Sequence, residues 1–140
     1  MPFASPAVLL RVCLGTLLGA LALPGAASAQ DAAAGERVFA QCRACHQVGE
    51  TARNGVGPQL NGLIGRTAGA VPGYTYSEAY KRPEVASKVW SEENFATYIR
   101  DPRSVTPGTR MVFAGLRQDA QVRDLIAFLR QFDASGKRSQ

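Results

Sequence analysis

Apolar residues recur at helical spacing near the end of the chain. Val122, Leu125, Ile126, Leu129 and Phe132 fall on one side of a helix, with Arg123, Arg130 and Gln131 on the other. This stripe predicts a terminal helix capped by Asp119. A shorter stripe, Val38, Phe39 and Cys42, predicts a first helix from Asp31 to Cys45. Ser91 is a good N-cap for a third, with Glu92 and Glu93 in its first turn, where acidic groups complement the helix dipole. It should run to about Arg100 and stop at Asp101-Pro102, because the residue before proline avoids helical geometry. Gly49 to Pro72 is rich in glycine and reads as a long loop with room for one short helix. Ser104 to Leu116 reads as a second loop, with Pro107-Gly108 just before Met111. No stretch alternates as a strand would. The expectation is an all-α domain of helices and long loops, with a polar tail, Ser135 to Gln140, that frays.

The start of the chain departs from this pattern. One basic side chain, Arg11, precedes an apolar run from Val12 to Leu23, which Pro24 and Gly25 interrupt. Ala27-Ser28-Ala29 then supplies a small-residue cleavage pattern before Gln30. The run is shorter than the ~20 residues a membrane-spanning helix needs. Residues 1–29 are therefore expected to be a cleaved secretory signal peptide, an uncleaved anchor being the alternative, and residues 30–140 one small domain. No cysteine stands at the cleavage site, which argues against a lipid anchor, and Cys13 leaves with the leader. The mature protein is expected in the periplasm, not spanning a membrane.

A domain of this size buries a limited core, so a large apolar cofactor at its centre would ease folding. Charge narrows the partners. The chain has 16 Lys plus Arg and 11 Asp plus Glu. Removing Arg11 leaves 15 against 11, near +4. There is no basic run, and with export this excludes nucleic acid. An acidic protein partner and a merely soluble basic surface explain the excess about equally well.

Cys42-Arg43-Ala44-Cys45-His46 brings in the chemistry. C-x-x-C-H is the pattern of covalent haem attachment. Positions three apart share a helix face, so both thiols can reach the vinyl groups of one porphyrin, and His46 can place an imidazole on the iron. Met111 offers a soft thioether for the other axial position. Beyond the leader, His46 is the only histidine, Met111 the only methionine, and Cys42 and Cys45 the only cysteines. A tetrahedral zinc site would need two further ligands. Taken alone, Trp90 and Tyr98 read as core aromatics, Arg66 as a solvated charge and Gly57-Pro58 as a turn.

The ordered motifs resemble those of the class I c-type cytochromes, in particular the mitochondrial-like group with its soluble bacterial relatives. Gly35-x-x-x-Phe39 precedes the haem motif. Gly57-Pro58-x-Leu60-x-Gly62, Arg66, Gly73-Tyr74-Thr75-Tyr76-Ser77 and Trp90 follow. Pro107-Gly108-Thr109-Arg110-Met111-x-Phe113-Ala114-Gly115 and Asp124 to Leu129 complete the series. The resemblance spans nearly all of Gln30 to Phe132. It implies one covalently attached haem c per chain, held through Cys42 and Cys45. His46 would ligate iron through Nε2, with its other ring nitrogen donating to the Pro58 carbonyl. Met111 would be the distal ligand, and Tyr98 would reach its sulfur. Arg66, Tyr76, Ser77 and Trp90 match positions that hydrogen-bond or shield the buried propionates, and Thr109 matches another neighbour. Gly35 and Phe39 would cross the last helix at Leu125 and Phe128.

The chain also departs from that group. Tyr80 stands where the mitochondrial proteins carry an amide near a propionate, and the segment from Tyr80 to Trp90 is longer, through Arg82, Pro83 and Glu84. Arg43, Arg103 and Arg110 keep part of a basic rim at the haem edge, whereas Ser104 replaces a basic position. The function implied is that of a soluble monomeric electron carrier rather than an enzyme. It would run from a quinol-oxidising cytochrome complex to a terminal oxidase or a photosynthetic reaction centre, both membrane redox complexes with acidic docking surfaces. The competing class is an electron-input subunit or a peroxidase-like haem enzyme, which would need a fixed partner or an open iron.

Overall fold

The computed structural model describes Met1 and residues 30–139; the expected signal peptide lies outside the described residues apart from Met1. Among the described residues six helices follow in order: α1 Ala32–Phe39, α2 Glu78–Lys81, α3 Pro83–Ala86, α4 Glu92–Arg100, α5 Pro102–Val105 and α6 Asp119–Leu129. Among the described residues there is no strand, only two isolated bridges, Thr67 with Val89 and Phe132 with Arg138. None of the described helices is long and apolar enough to cross a membrane.

The core is organised by α1 crossing α6. Asp31 caps α1, its carboxylate accepting from the N–H groups of Ala33 (2.8 Å) and Ala34 (3.0 Å). The Asp31 N–H itself donates to the Asp124 carboxylate of α6, 3.0 Å away. Gly35 lets the two backbones touch: a Cβ there would lie 1.9 Å from the Asp124 carbonyl oxygen. Beside the crossing the Phe39 and Phe128 rings meet with centroids 5.2 Å apart. Phe39, Val122, Leu125, Phe128 and Leu129 are almost wholly buried. Burying each such side chain contributes roughly 1.5–3 kcal/mol. α4 joins this pair, tied to α6 by Arg100–Asp119 (2.8 Å) and Arg130–Glu92 (2.9 Å).

Several local expectations change. α1 ends at Phe39, not Cys45, because the chain tightens into bonds between residues three apart, Cys42 N–H to the Phe39 carbonyl (2.8 Å) and Cys45 N–H to the Cys42 carbonyl (3.0 Å). The 49–72 segment holds no helix; it is a series of turns, with Gly62 and Gly65 at φ +58° and +93°. Pro102, expected only to stop α4, also opens α5, with the Asp101 carboxylate accepting from the Ser104 N–H at 3.1 Å. Asp119 is the first residue of α6 rather than its cap, which is Gln118. Its carboxylate is held below the usual range by the Arg100 guanidinium instead. The tail does not fray through Ser139. The Ser139 N–H donates to the Gln131 carbonyl (2.8 Å), and the Arg138 guanidinium lies over the Phe128 and Phe132 rings.

Candidate functional site

The helices and the two loops enclose a cavity of about 240 Å³. All eleven residues singled out from the sequence line it: Cys42, Cys45, His46, Pro58, Arg66, Tyr76, Ser77, Trp90, Tyr98, Thr109 and Met111. They come from the turn after α1, the loop to α2, α4 with the residue before its cap, and the loop before α6. Phe39, Leu63, Ile99, Leu125 and Leu129 supply apolar wall, so the cavity is continuous with the helical core.

The turn after α1 sets the thiols. Bonds between residues three apart bring side chains at that spacing into register, so Cys42 and Cys45 project together. Both are free thiols, Cys42 half-buried and Cys45 exposed. Burial pushes the Cys42 thiol up to about 11, and the neighbouring Cys45 adds to the rise. The chain then doubles back so that the Gly57 N–H donates to the Cys45 carbonyl at 2.9 Å. A Cβ on Gly57 would stand 2.3 Å from His46 Cε1, so the backbone itself lies against the imidazole.

His46 Nδ1 is 2.7 Å from the Pro58 carbonyl oxygen. A carbonyl can only accept, so Nδ1 carries the proton and Nε2 keeps its lone pair. Burial, the largest influence, lowers the His46 pKa and favours this neutral form. Among the described residues, the loop carrying Met111 is anchored at both ends. The Thr109 N–H donates to the Thr106 carbonyl (3.0 Å), and the Leu116 N–H donates to the Ile99 carbonyl of α4 (2.9 Å). Met111 Sδ accepts from the Tyr98 hydroxyl at 3.2 Å, and the Met111 N–H donates to Thr109 Oγ1, also at 3.2 Å.

Polar groups in the cavity wall point to an anionic guest. The Arg66 guanidinium donates to the carbonyls of Asn61 (2.6 Å) and Gln59 (3.3 Å), yet its Nε is buried without a partner. Among the described residues the other such buried side-chain atom is Ser77 Oγ. The Tyr76 hydroxyl accepts from the Val71 N–H (3.3 Å), and its own proton remains to be donated. A buried donor left unpaired costs about 1–3 kcal/mol; a carboxylate entering here would satisfy several at once. Paired thiols, an imidazole with a free nitrogen, a thioether, apolar walls and unsatisfied donors together fit a flat iron porphyrin bearing carboxylates.

The sequence passed over one wall residue of consequence. In the sequence Tyr80 stands out only as a departure from the mitochondrial pattern, yet its hydroxyl donates to that of Tyr98 at 2.8 Å. Its burial and its place between two other tyrosines had no local signal. Of the three rim arginines only Arg110 lines the cavity, its guanidinium donating to the Thr75 carbonyl. Arg43 pairs with Glu36 at 3.2 Å, and Arg103 is exposed. Two exposed apolar side chains, Val56 and Val112, also border the cavity.

Comparison with known proteins agrees with this chemistry. The cytochrome c family model matches residues 32–133. The chain is 51% identical to cytochrome c2 of Blastochloris viridis over 112 residues, 80% of this chain and 86% of that protein. It is 49% identical to cytochrome c-550 of Nitrobacter winogradskyi over 107 residues, 76% of this chain and 95% of that protein. The solved structure of cytochrome c2 from Rhodospirillum centenum superposes with a TM-score of 0.68 at 38% identity, covering 74% of this chain and 98% of that one. With motif, cavity and matched length in accord, the chain belongs to the cytochrome c family, among the class I c-type cytochromes, and its cofactor is a covalently bound haem c with iron.

Proposed function

We propose that this electron carrier is a soluble monomer of the periplasm. Residues 1–29 direct export and are removed, leaving a domain of residues 30–140. Cys42 and Cys45 hold the haem through thioethers, and His46 Nε2 and Met111 Sδ are its axial ligands. Arg66, Tyr76 and Ser77 donate to the propionates, Trp90 shields them, and Pro58, Tyr98 and Thr109 orient the two ligands. A haem closed on both axial sides exchanges electrons through its edge and offers no open position to a substrate, and a thioether ligand raises its potential. The carrier then suits transfer from a quinol-oxidising complex to a terminal oxidase or photosynthetic reaction centre. The exposed Val56 and Val112, which border the cavity together with the basic Arg110, would meet an acidic docking surface, with the exposed Arg103 adding to the positive charge.

The observation that carries the reading is Met111. Beyond the leader it is the chain's only methionine, it shares the cavity with His46, and its sulfur accepts the Tyr98 hydroxyl proton at 3.2 Å. The test is the optical spectrum of the oxidised protein. A weak far-red band from sulfur-to-iron charge transfer is expected, and Met111→Ala should abolish it, lower the potential and admit exogenous ligands. Persistence of the band in Met111→Ala, or five-coordinate iron at rest in the parent, would overturn the assignment.

A further inference from the structure

Tyr80 lies on α2, whose placement was not foreseen from the sequence, and it reaches across to α4. Its ring packs on Tyr76 with centroids 5.3 Å apart, and the Tyr98 ring packs on Trp90 at 4.9 Å. Both phenols are thus held by aromatic neighbours rather than free to swing.

Three groups surround the Tyr98 hydroxyl: the Tyr80 hydroxyl at 2.8 Å, the Met111 sulfur at 3.2 Å and the Thr109 side chain. A phenol has one proton to donate. A thioether sulfur only accepts, and weakly; a hydroxyl oxygen accepts better. Tyr80 donates its own proton to the Tyr98 oxygen, so it does not compete for the Tyr98 proton, which goes to the sulfur. Hydrogen bonds in such a chain also polarise one another, by roughly 10–30% per bond, so the Tyr98 proton is made more acidic toward the sulfur.

We propose that Tyr80 is a positioning residue that strengthens, through the Tyr98 hydroxyl, the hydrogen bond to the Met111 sulfur, and so raises the reduction potential of the protein. The inference rests on the reading of Met111 as distal ligand. A sulfur that receives a hydrogen bond has less electron density to give, and poorer donation favours the reduced iron; groups that touch only a ligand tune a metal in this way. It also separates Tyr80 from Arg66, Tyr76 and Ser77. Those have donor hydrogens still unpaired, whereas the only proton of Tyr80 is already given to Tyr98.

The experiment is a double-mutant cycle on the holoprotein, built from Tyr80→Phe and Tyr98→Phe and read by redox titration and by the far-red band. Tyr80→Phe keeps the ring and removes only the hydroxyl. It should lower the midpoint potential and shift the band, by less than Tyr98→Phe does. In the Tyr98→Phe background it should do neither. Thermal unfolding of the same proteins separates a packing role, which would lower the melting temperature and leave the potential unmoved. An unchanged potential in Tyr80→Phe overturns the proposal. So does an equal shift in both backgrounds, since Tyr80 would then act on something other than Tyr98. If Met111→Ala retains the band, the ligand reading itself fails; if it loses the band while Tyr80→Phe is silent, only the role of Tyr80 fails.

Discussion

The α1–α6 crossing and the cavity wall are built on opposite terms. At the crossing, two regular helices touch through Gly35 and Asp124 and bury Phe39, Leu125 and Phe128, and neither helix holds a buried side-chain polar atom without a partner. The wall is made largely from turns and two long loops, and it holds the unpaired Arg66 Nε and Ser77 Oγ. One region lowers the free energy of the bare polypeptide. The other holds donors that remain unsatisfied until a guest supplies the acceptors. A small domain can tolerate such a wall because the crossing stands behind it and because the guest becomes part of the core.

This contrast can be broken most severely at the thiols. Cys42→Ala with Cys45→Ala leaves the crossing untouched, yet it should yield haem that acid-acetone extracts, or no holoprotein. Retention of haem on the doubly substituted chain would show that attachment lies elsewhere.

A matched pair of glycine substitutions sharpens the comparison. At Gly35 a Cβ would meet the Asp124 carbonyl oxygen at 1.9 Å, backbone against backbone, whereas at Gly57 it would meet the His46 ring at 2.3 Å. Overpacking costs typically 1–3 kcal/mol. Gly35→Ala should therefore lose about 3 kcal/mol in denaturant unfolding, with an unaltered spectrum in the folded protein. Gly57→Ala should perturb the spectrum and potential through the displaced imidazole. A spectral change in Gly35→Ala as large as that in Gly57→Ala would mean the two regions are not separable.

The smallest effect on the molecule itself belongs to the exposed arginines. Arg103→Glu with Arg110→Glu should leave spectrum and unfolding close to the parent. It should slow electron transfer to an acidic partner by roughly tenfold at low salt, since charge acts mainly on encounter. Stopped-flow oxidation across a salt series reads this. A parent rate that does not fall as salt rises, matched by the charge-reversed protein, would discard steering and leave the carrier role intact.

The amino-acid sequence by itself determined the chemistry and the frame. C-x-x-C-H, with a lone histidine and a lone methionine within residues 30–140, named the group and its ligand candidates, because covalent attachment and axial ligation need those side chains and few others. The stripe from Val122 to Leu129 and the Ser91 cap placed α6 and α4 within a residue or so, since both signals are local. Only the tertiary structure decided what depends on distant partners. The tight turn at Cys42, the helices at 78–86 and the pinned tail rest on bonds or packing that no local pattern announces. Tyr80 is the clearest case. Its neighbour Tyr98 is 18 positions away, and the pairing of their hydroxyls follows from how α2 and α4 pack around the cavity. A hydroxyl's role is set by which single acceptor it faces, and that is a property of the folded chain.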